Sequence, residues 1–188
     1  MAKPKSEEKR NAIMAAATRV IAAQGLGAPT ATIAQEAGVA NGTLFTYFET
    51  KADLINELYL ELKTEMATTA LDGLRESADL RKQAFHVWKR SMNWGMASPE
   101  KRRALCQLGV SDEITPATRS QAHQAMAPVA ELMERIRADG PMRNAPMSFV
   151  VAIMESLSET TMDFMIREPG NADKHCKAGF DVFWRAVG

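Results

Sequence analysis

Polar side chains with hydrogen-bonding groups occur together in a short segment close to the N-terminus. In residues 40–48, Leu44 and Phe48 lie four positions apart, so on a helix both can face a core. The polar residues that are then left to point outward are Asn41, Thr43, Thr46 and Tyr47. Amide and hydroxyl groups hydrogen-bond base edges and phosphate oxygens, and a threonine methyl can touch the methyl of thymine. The segment therefore predicts contact with double-stranded DNA.

Two short helices joined by a tight turn would position that segment. Apolar residues favour one helix over residues 30–37 and another over residues 40–48, with Gly38 and Val39 in the turn. Two helices with a short turn containing Gly form a helix-turn-helix, whose second helix can enter the major groove. Thr30 begins the first helix, where backbone amides can also bind an anion, and Lys51 lies in the first turn of the next one. We expect both side chains to reach phosphates.

The rest of the chain also has helical rather than strand periodicity, which predicts an all-α fold. Thr50 and Asp53 have the spacing of a capping box, the sharpest helix start in the chain. Helices are predicted over residues 7–24, 30–37, 40–48, 50–71 and 79–96. Caps and prolines predict further helices that start after Ser98 and Thr115, a break near Pro128, a helix opened by Pro146, and a last helix capped by Asn171.

The run of residues 33–54, IAQEAGVANGTLFTYFETKADL, resembles the N-terminal signature of TetR-type bacterial transcriptional repressors. The resemblance implies a three-helix DNA-binding domain with the helix-turn-helix at residues 1–50. It implies a helical ligand-binding and dimerisation domain at residues 51–188. The positions that correspond to the DNA contacts of the family are Thr30, Asn41, Gly42, Thr43, Phe45, Thr46, Tyr47 and Lys51.

Two residues of this run depart from the family pattern. Phe45 stands where the family usually has Tyr, so a hydroxyl that could reach a phosphate is missing. Ala40 stands where the family usually has the Ser that caps the second helix. We expect each change to weaken binding by about 1 kcal/mol, the contribution of one cap or hydrogen bond.

A further resemblance covers the chain from end to end and is to RamR-like multidrug-sensing repressors of the same family. It rests on residues 4–7, 54–63, 94–95 and 159–164. It implies a pocket for bulky apolar or cationic compounds, which aromatic faces can stack against or attract. The candidate pocket residues are Tyr59, Lys63, Met66, Phe85, Trp88, Met92, Val151 and Met154. Tyr59, Met66, Trp88 and Met92 also have the helical spacing of ordinary core residues, so packing remains an alternative for each of these four.

The last two helices carry two apolar stripes, which is more than one small domain needs to cover. One stripe contains Met147, Val150, Val151, Met154, Leu157 and Met165, and the other contains Phe180, Phe183 and Val187. The family pairs its last two helices with those of a second subunit in a four-helix bundle. We therefore expect a homodimer that holds its recognition helices about 34–36 Å apart, one turn of DNA.

The composition of the chain excludes several other classes of protein. Lys plus Arg and Asp plus Glu both number 23 among 188 residues, and this zero net charge excludes a protein that coats DNA through bulk positive charge. Up to Lys51 there are six basic and four acidic residues, so the head carries +2 and the remainder −2. Two cysteines are too few for a disulfide framework, and no cofactor or metal motif is present. The charged N-terminus lacks an apolar leader, which predicts a cytoplasmic protein at the nucleoid.

Two other functions stay open at the level of sequence. One is a DNA-binding regulator that responds to no ligand, in which the C-terminal part serves only dimerisation. The other is a small helical enzyme with Asp163, Glu159 or His123 as acid or base, although no catalytic motif surrounds these residues.

Overall fold

The computed structural model describes residues 4–75 and 79–188 and confirms the all-α fold. The described part contains ten α-helices and one short 3-10 helix, Pro169–Asn171. The α-helices are α1 Pro4–Gln24, α2 Thr30–Glu36, α3 Asn41–Tyr47, α4 Lys51–Leu71, α5 Leu80–Ala97, α6 Pro99–Gly109, α7 Pro116–Ala125, α8 Ala127–Arg137, α9 Met147–Arg167 and α10 Ala172–Val187. Over the same residues, no helix has both the length and the apolar content needed to cross a membrane.

Most helix boundaries lie close to the predicted ones, but two predicted caps form no side-chain bond. Ser98 and Asn171 occupy the N-cap positions of α6 and α10 without capping hydrogen bonds. Asn171 ends the 3-10 turn with φ −112° and ψ 8°, so its backbone lacks the extended conformation of an N-cap. The side-chain amide of Asn171 instead donates to Glu168 Oε2 at 3.3 Å. The predicted break near Pro128 is confirmed, because α7 ends before α8 begins.

The start of α4 has the capping box that the sequence predicts. The Thr50 amide and hydroxyl donate to Asp53 Oδ2 at 2.9 and 2.8 Å, and the Asp53 amide donates to Thr50 Oγ1 at 3.1 Å. These reciprocal bonds satisfy amide groups that have no partner within the helix. They fix where α4 begins, directly after the helix-turn-helix.

Contacts divide the described residues into two compact units. Unit 1 comprises residues 4–65 and 98–125, and unit 2 comprises residues 66–75, 79–97 and 126–188, so the boundary falls inside α4. In unit 1, α1 packs against α2 and α6, and α2 packs against α3. Its fully buried side chains include Ile13, Ile21, Ile33, Leu44, Phe48, Leu54 and Leu58. The resemblance implies a different division, into a DNA-binding domain up to residue 50 and a ligand-binding domain after it. That functional division stays a prediction.

Unit 2 is a bundle of α5, α8, α9 and α10 around an aromatic core. The Trp88 ring stacks on Phe183 with centroids 5.7 Å apart, and Phe85 meets Phe180 edge-on at 4.9 Å. Trp88 Nε1 donates to the Cys176 carbonyl at 3.0 Å, which satisfies the indole in the core. Trp88, Phe180 and Phe183 are all less than 5% exposed.

These contacts correct the interpretation of the stripe with Phe180, Phe183 and Val187. The apolar pattern predicts that this stripe is surplus surface for a second subunit, whereas all three side chains lie in the core of unit 2. The helical period turns this stripe toward α5, so the exposed apolar residues of α9 and α10 are different ones. They include Phe149, Phe164, Ile166 and Val182.

Candidate DNA-binding surface

The turn between α2 and α3 is fixed by backbone hydrogen bonds around one glycine. Gly38 has φ +66°, a left-handed conformation that glycine adopts without a steric penalty. The Val39 amide donates to the Ala34 carbonyl at 3.0 Å and the Gly38 amide to the Gln35 carbonyl at 3.1 Å. This is the Schellman arrangement that ends a helix and reverses the chain. It sets α3 at a defined angle to α2.

Two apolar side chains hold α3 from behind. Leu44 is fully buried and Phe48 is 1% exposed, as their four-residue spacing predicts. With about 100° between successive residues, Gly42 and Thr46 then lie on the opposite side, and Thr43 and Phe45 flank them. Asn41, Gly42, Phe45 and Thr46 are exposed, whereas Thr43 and Tyr47 are half-buried. The structure therefore gathers these six predicted DNA contacts on one seven-residue helix.

The centre of the outward face has little steric bulk. A Cβ added to Gly42 would meet nothing within 4 Å. The Thr46 hydroxyl donates to the Gly42 carbonyl at 3.2 Å, which keeps that side chain close to the helix. Ala40, at the N-cap of α3, makes no side-chain cap bond, as the sequence indicates. An open surface of this kind allows a groove to approach the helix closely.

The remaining two predicted contacts lie at helix starts. Thr30 is half-buried at the first position of α2, after Pro29, which provides no side-chain cap bond. Lys51 begins α4, and its Nζ donates to the Leu26 carbonyl at 2.5 Å. An ammonium group has three protons, so this bond leaves donors for a phosphate while it holds the side chain in place.

Ion pairs that the sequence analysis did not single out brace the helices behind this surface. Arg10 of α1 donates to Glu57 at 2.7 Å and approaches Glu61 at 3.5 Å on α4, and its guanidinium lies 5.7 Å from the centre of the Phe48 ring. The hydrogen bond to Glu57 raises the pKa of Arg10 above its usual value. The four-residue spacing of the two glutamates was the available signal, but their partner lies 47 residues away from Glu57.

The predicted ligand residues divide between the two units. Tyr59 and Lys63 are in unit 1, where Lys63 Nζ lies 5.9 Å from the centre of the buried Tyr59 ring. The guanidinium of Arg119, which the sequence analysis did not select, lies 6.0 Å from the same ring. The residues in unit 2 are Met66, Phe85, Trp88, Met92, Val151 and Met154. Of these, Trp88 and Met92 are buried core residues, Phe85 and Met154 pack against that core, and Met66 and Val151 are half-buried.

A helix-turn-helix with a polar outward face on its second helix defines the class of a DNA-binding protein. The sequence profile described as "Bacterial regulatory proteins, tetR family" matches residues 13–58, which include the whole helix-turn-helix. A protein from Shewanella sp. PV-4 assigned to the tetR family of transcription regulators has a crystal structure that matches with a TM-score of 0.83. The two chains are 30% identical, and the match covers 94% of this chain and 96% of the other. The chain belongs to the TetR family of transcriptional regulators.

More distant structures share the fold. A TetR family transcription regulator from Marinobacter aquaeolei VT8 matches with a TM-score of 0.80 at 22% identity, over 97% of each chain. The transcriptional regulator FadR from Bacillus subtilis, crystallised in complex with stearoyl-CoA, matches with a TM-score of 0.68 at 16% identity, over 95% of this chain and 99% of the other. TetR-family regulators bind DNA and small-molecule effectors and dimerise, and they are transcription factors rather than enzymes.

Proposed function

We propose that the protein is a ligand-responsive repressor that binds a palindromic operator as a homodimer. The observation that carries the proposal is the outward face of α3, where neutral hydrogen-bonding groups surround the open position at Gly42. In a dimer the two copies of α3 would enter successive major grooves on one side of the DNA, about 34–36 Å apart. Such a protein would act in the cytoplasm, at the nucleoid.

Exposed apolar residues on α9 and α10 support a dimer through these two helices. Phe149, Phe164 and Val182 are 54%, 43% and 51% exposed, and a groove between α9 and α10 is lined by Leu157, Phe164 and Val182 among others. Large apolar side chains that stay exposed on neighbouring helices commonly mark an interface. Because both copies present the same two helices, a twofold axis would pair them as a four-helix bundle.

The proposed effector is a small hydrophobic or cationic compound, as the resemblance to RamR-like repressors suggests. Two places in the described residues could contact such a compound. The Tyr59 ring of unit 1 already lies near Lys63 and Arg119, so it suits an apolar compound, whereas Trp88 with its neighbouring aromatic and methionine side chains in unit 2 suits either kind. Aromatic faces attract cations and stack on flat molecules, and methionines adapt to different shapes. That a distant relative was crystallised with stearoyl-CoA is compatible with effectors of considerable size. Genes for efflux or stress responses are the targets that such an effector suggests.

A ligand would cause release of DNA by moving α4 and the helices α6 and α7 that contact its first turns. Within unit 1, Asn56 on α4 donates to the Glu113 carbonyl and accepts from the Thr115 amide, both at 2.9 Å. Arg119 donates to the carbonyls of Gly109 and Ser111. These bonds fix the segment between α6 and α7, which also contains Glu113 and Thr115. A ligand that shifts these helices would change the distance between the two copies of α3. Ligand and DNA affinities would then be coupled reciprocally, typically by about 1–3 kcal/mol.

The second candidate is a regulator that responds to no ligand. The observation that favours it is the tight packing in unit 2, where Trp88 and Phe85 are already in contact with Phe183 and Phe180. In that case the aromatic cluster is a core and the C-terminal helices serve dimerisation alone.

A selection experiment followed by ligand competition tests the proposal. The full chain is used to enrich duplexes from a random library, and the mass of the complex gives the number of chains per duplex. We expect a palindromic site occupied by two chains, and release of that site by at least one compound among cationic dyes, bile acids and antibiotics. If none of these compounds releases the DNA or raises the melting temperature, the ligand-blind regulator replaces the proposal. If no duplex is enriched, the proposal that the protein binds a specific operator is wrong.

The dimer has a separate test with a matched control. Val182 on α10 and Val110 at the end of α6 are both exposed valines, so Asp at either position leaves the cores intact. We expect Val182→Asp to be a monomer by analytical ultracentrifugation and to lose operator binding, while Val110→Asp stays a dimer. A Val182→Asp variant that remains dimeric would place the interface elsewhere.

A further inference from the structure

The two helices of the helix-turn-helix contain no positively charged residue. Between Arg19 and Lys51 the sequence has no lysine or arginine, and its charged residues there are Glu36 and Glu49. All of α3 is neutral. The commonest specific contact of proteins with guanine is a bidentate bond from Arg or Lys to its O6 and N7 atoms in the major groove. Neither α2 nor α3 has a side chain that can make it.

The cations next to the helix-turn-helix already have partners within unit 1. Arg19 donates to Glu36 at 2.8 Å, and Arg10 is bound to two glutamates of α4. The Lys51 ammonium lies 2.5 Å from the carbonyl oxygen of Leu26, between α1 and α2. These contacts tie the three side chains to α2, to α4 and to the segment between α1 and α2, so none of them replaces a guanine-reading arginine on α3.

The outward face instead presents an aromatic ring to solvent. Phe45 is 42% exposed, and among the described residues of unit 1 it is the one exposed aromatic side chain. It lies beside Thr46 and the open position at Gly42. The ring has no hydrogen-bonding group, so its contribution on contact comes from the apolar surface that it removes from water. In the major groove the apolar group of an unmodified base pair is the C5 methyl of thymine.

We propose that α3 reads A·T pairs in the half-site core, by which we mean the base pairs of each half-site that α3 contacts. The Phe45 ring packs on a thymine methyl there, and no arginine contacts guanine. Asn41, exposed at the first position of α3, complements this chemistry because an amide pairs with N6 and N7 of adenine. Phe45 is thus a specificity-determining residue, and its lack of a hydroxyl relative to Tyr exchanges a phosphate contact for a base contact. The inference rests on the proposed function, since it concerns the same DNA site.

Replacing thymine by uracil tests the contact, because it removes only the methyl group. In the duplex enriched by the full chain, each dT of one half-site is replaced in turn by dU, and the dissociation constant is measured by fluorescence anisotropy. We expect at least one replacement to weaken wild-type binding about fourfold, the factor for burial of one methyl group. The same replacement should have no effect on Phe45→Ala. Val110→Ala, which shortens another exposed side chain of unit 1, should respond like the wild type.

Three results would overturn the inference. The first is wild-type binding that no uracil replacement weakens, and the second is a uracil penalty that persists in Phe45→Ala. The third is a tenfold or larger loss when 7-deazaguanine, which lacks the N7 acceptor, replaces a guanine in the half-site core. Each of these leaves the proposed function standing, because a specific duplex was selected. Failure to enrich any duplex would overturn the proposed function and this inference together.

Discussion

Gly42→Ala is expected to stabilise the free protein and to weaken its binding to DNA. Alanine is favoured over glycine inside a helix by up to about 1 kcal/mol, and we expect about 0.5 kcal/mol because Gly42 lies in the first turn of α3. The new methyl group meets nothing within 4 Å in the free protein, so no steric cost offsets this gain. In the proposed complex the same methyl would lie at the centre of the face that approaches the groove. If overpacking there costs about 1–3 kcal/mol, affinity falls about 5- to 150-fold.

Urea unfolding and anisotropy titration with the selected duplex measure the two effects separately. Gly109→Ala is the matched control, because Gly109 ends α6 and a Cβ there also meets nothing within 4 Å. We expect this control to bind DNA like the wild type. Unchanged affinity of Gly42→Ala for the duplex would refute the close approach of DNA to α3. A lower unfolding free energy for Gly42→Ala would refute the reasoning about the free helix.

Three further predictions concern the contact between α9 and α10, the thiols and the salt dependence. A Cβ on Gly179 would collide with the Thr161 hydroxyl, so Gly179→Ala should lower the unfolding free energy by about 1–3 kcal/mol. Adding Thr161→Ala should recover most of that loss, as urea titrations would show. Burial raises the pKa of the Cys176 thiol, so iodoacetamide at neutral pH should label the exposed Cys106 first. Peptide mass spectrometry measures the two labelling rates, and faster labelling of Cys176 would contradict its burial. Among the described residues, ion pairs occupy Arg10 and Arg19, two of the six cations up to Lys51, so a dimer has at most eight of these cations for phosphates. The slope of log K against log salt concentration should therefore be no steeper than about −7, and Lys51→Ala should reduce its magnitude by about 2. A steeper slope would require cations from elsewhere in the chain.

The parts of the structure that the sequence predicted well are those encoded by short-range signals. The helix-turn-helix depends on the spacing of Leu44 and Phe48 and on the turn at Gly38, all within one short segment. The capping box of Thr50 and Asp53 is equally local and forms as predicted. Signals of this kind need no knowledge of the rest of the chain, because the residues that interact are a few positions apart.

The features that the sequence did not predict depend on partners far along the chain. Periodicity identified the stripe that contains Phe180 and Phe183 as apolar, but only packing against α5 shows that this stripe forms a core rather than a subunit interface. The bond from Arg10 to Glu57 joins residues 47 positions apart, and charge patterns alone do not specify such a pair. The ligand residues remain predictions for the same reason: at helical spacing, a side chain such as Trp88 has the same pattern in a core as in a pocket.

Contact of α3 and the start of α4 with DNA can be tested by a mobility shift with the selected duplex and two variants. Tyr47→Ala removes a half-buried side chain of α3, and Lys51→Ala removes the cation at the start of α4. Lys82→Ala, which removes an exposed lysine of α5 paired with Asp79, is the control for lost charge. Melting temperatures confirm that each variant is folded. We expect at least tenfold weaker binding for Tyr47→Ala and Lys51→Ala and unchanged binding for Lys82→Ala. Wild-type affinity in both of the first two variants would show that α3 and the start of α4 do not contact DNA.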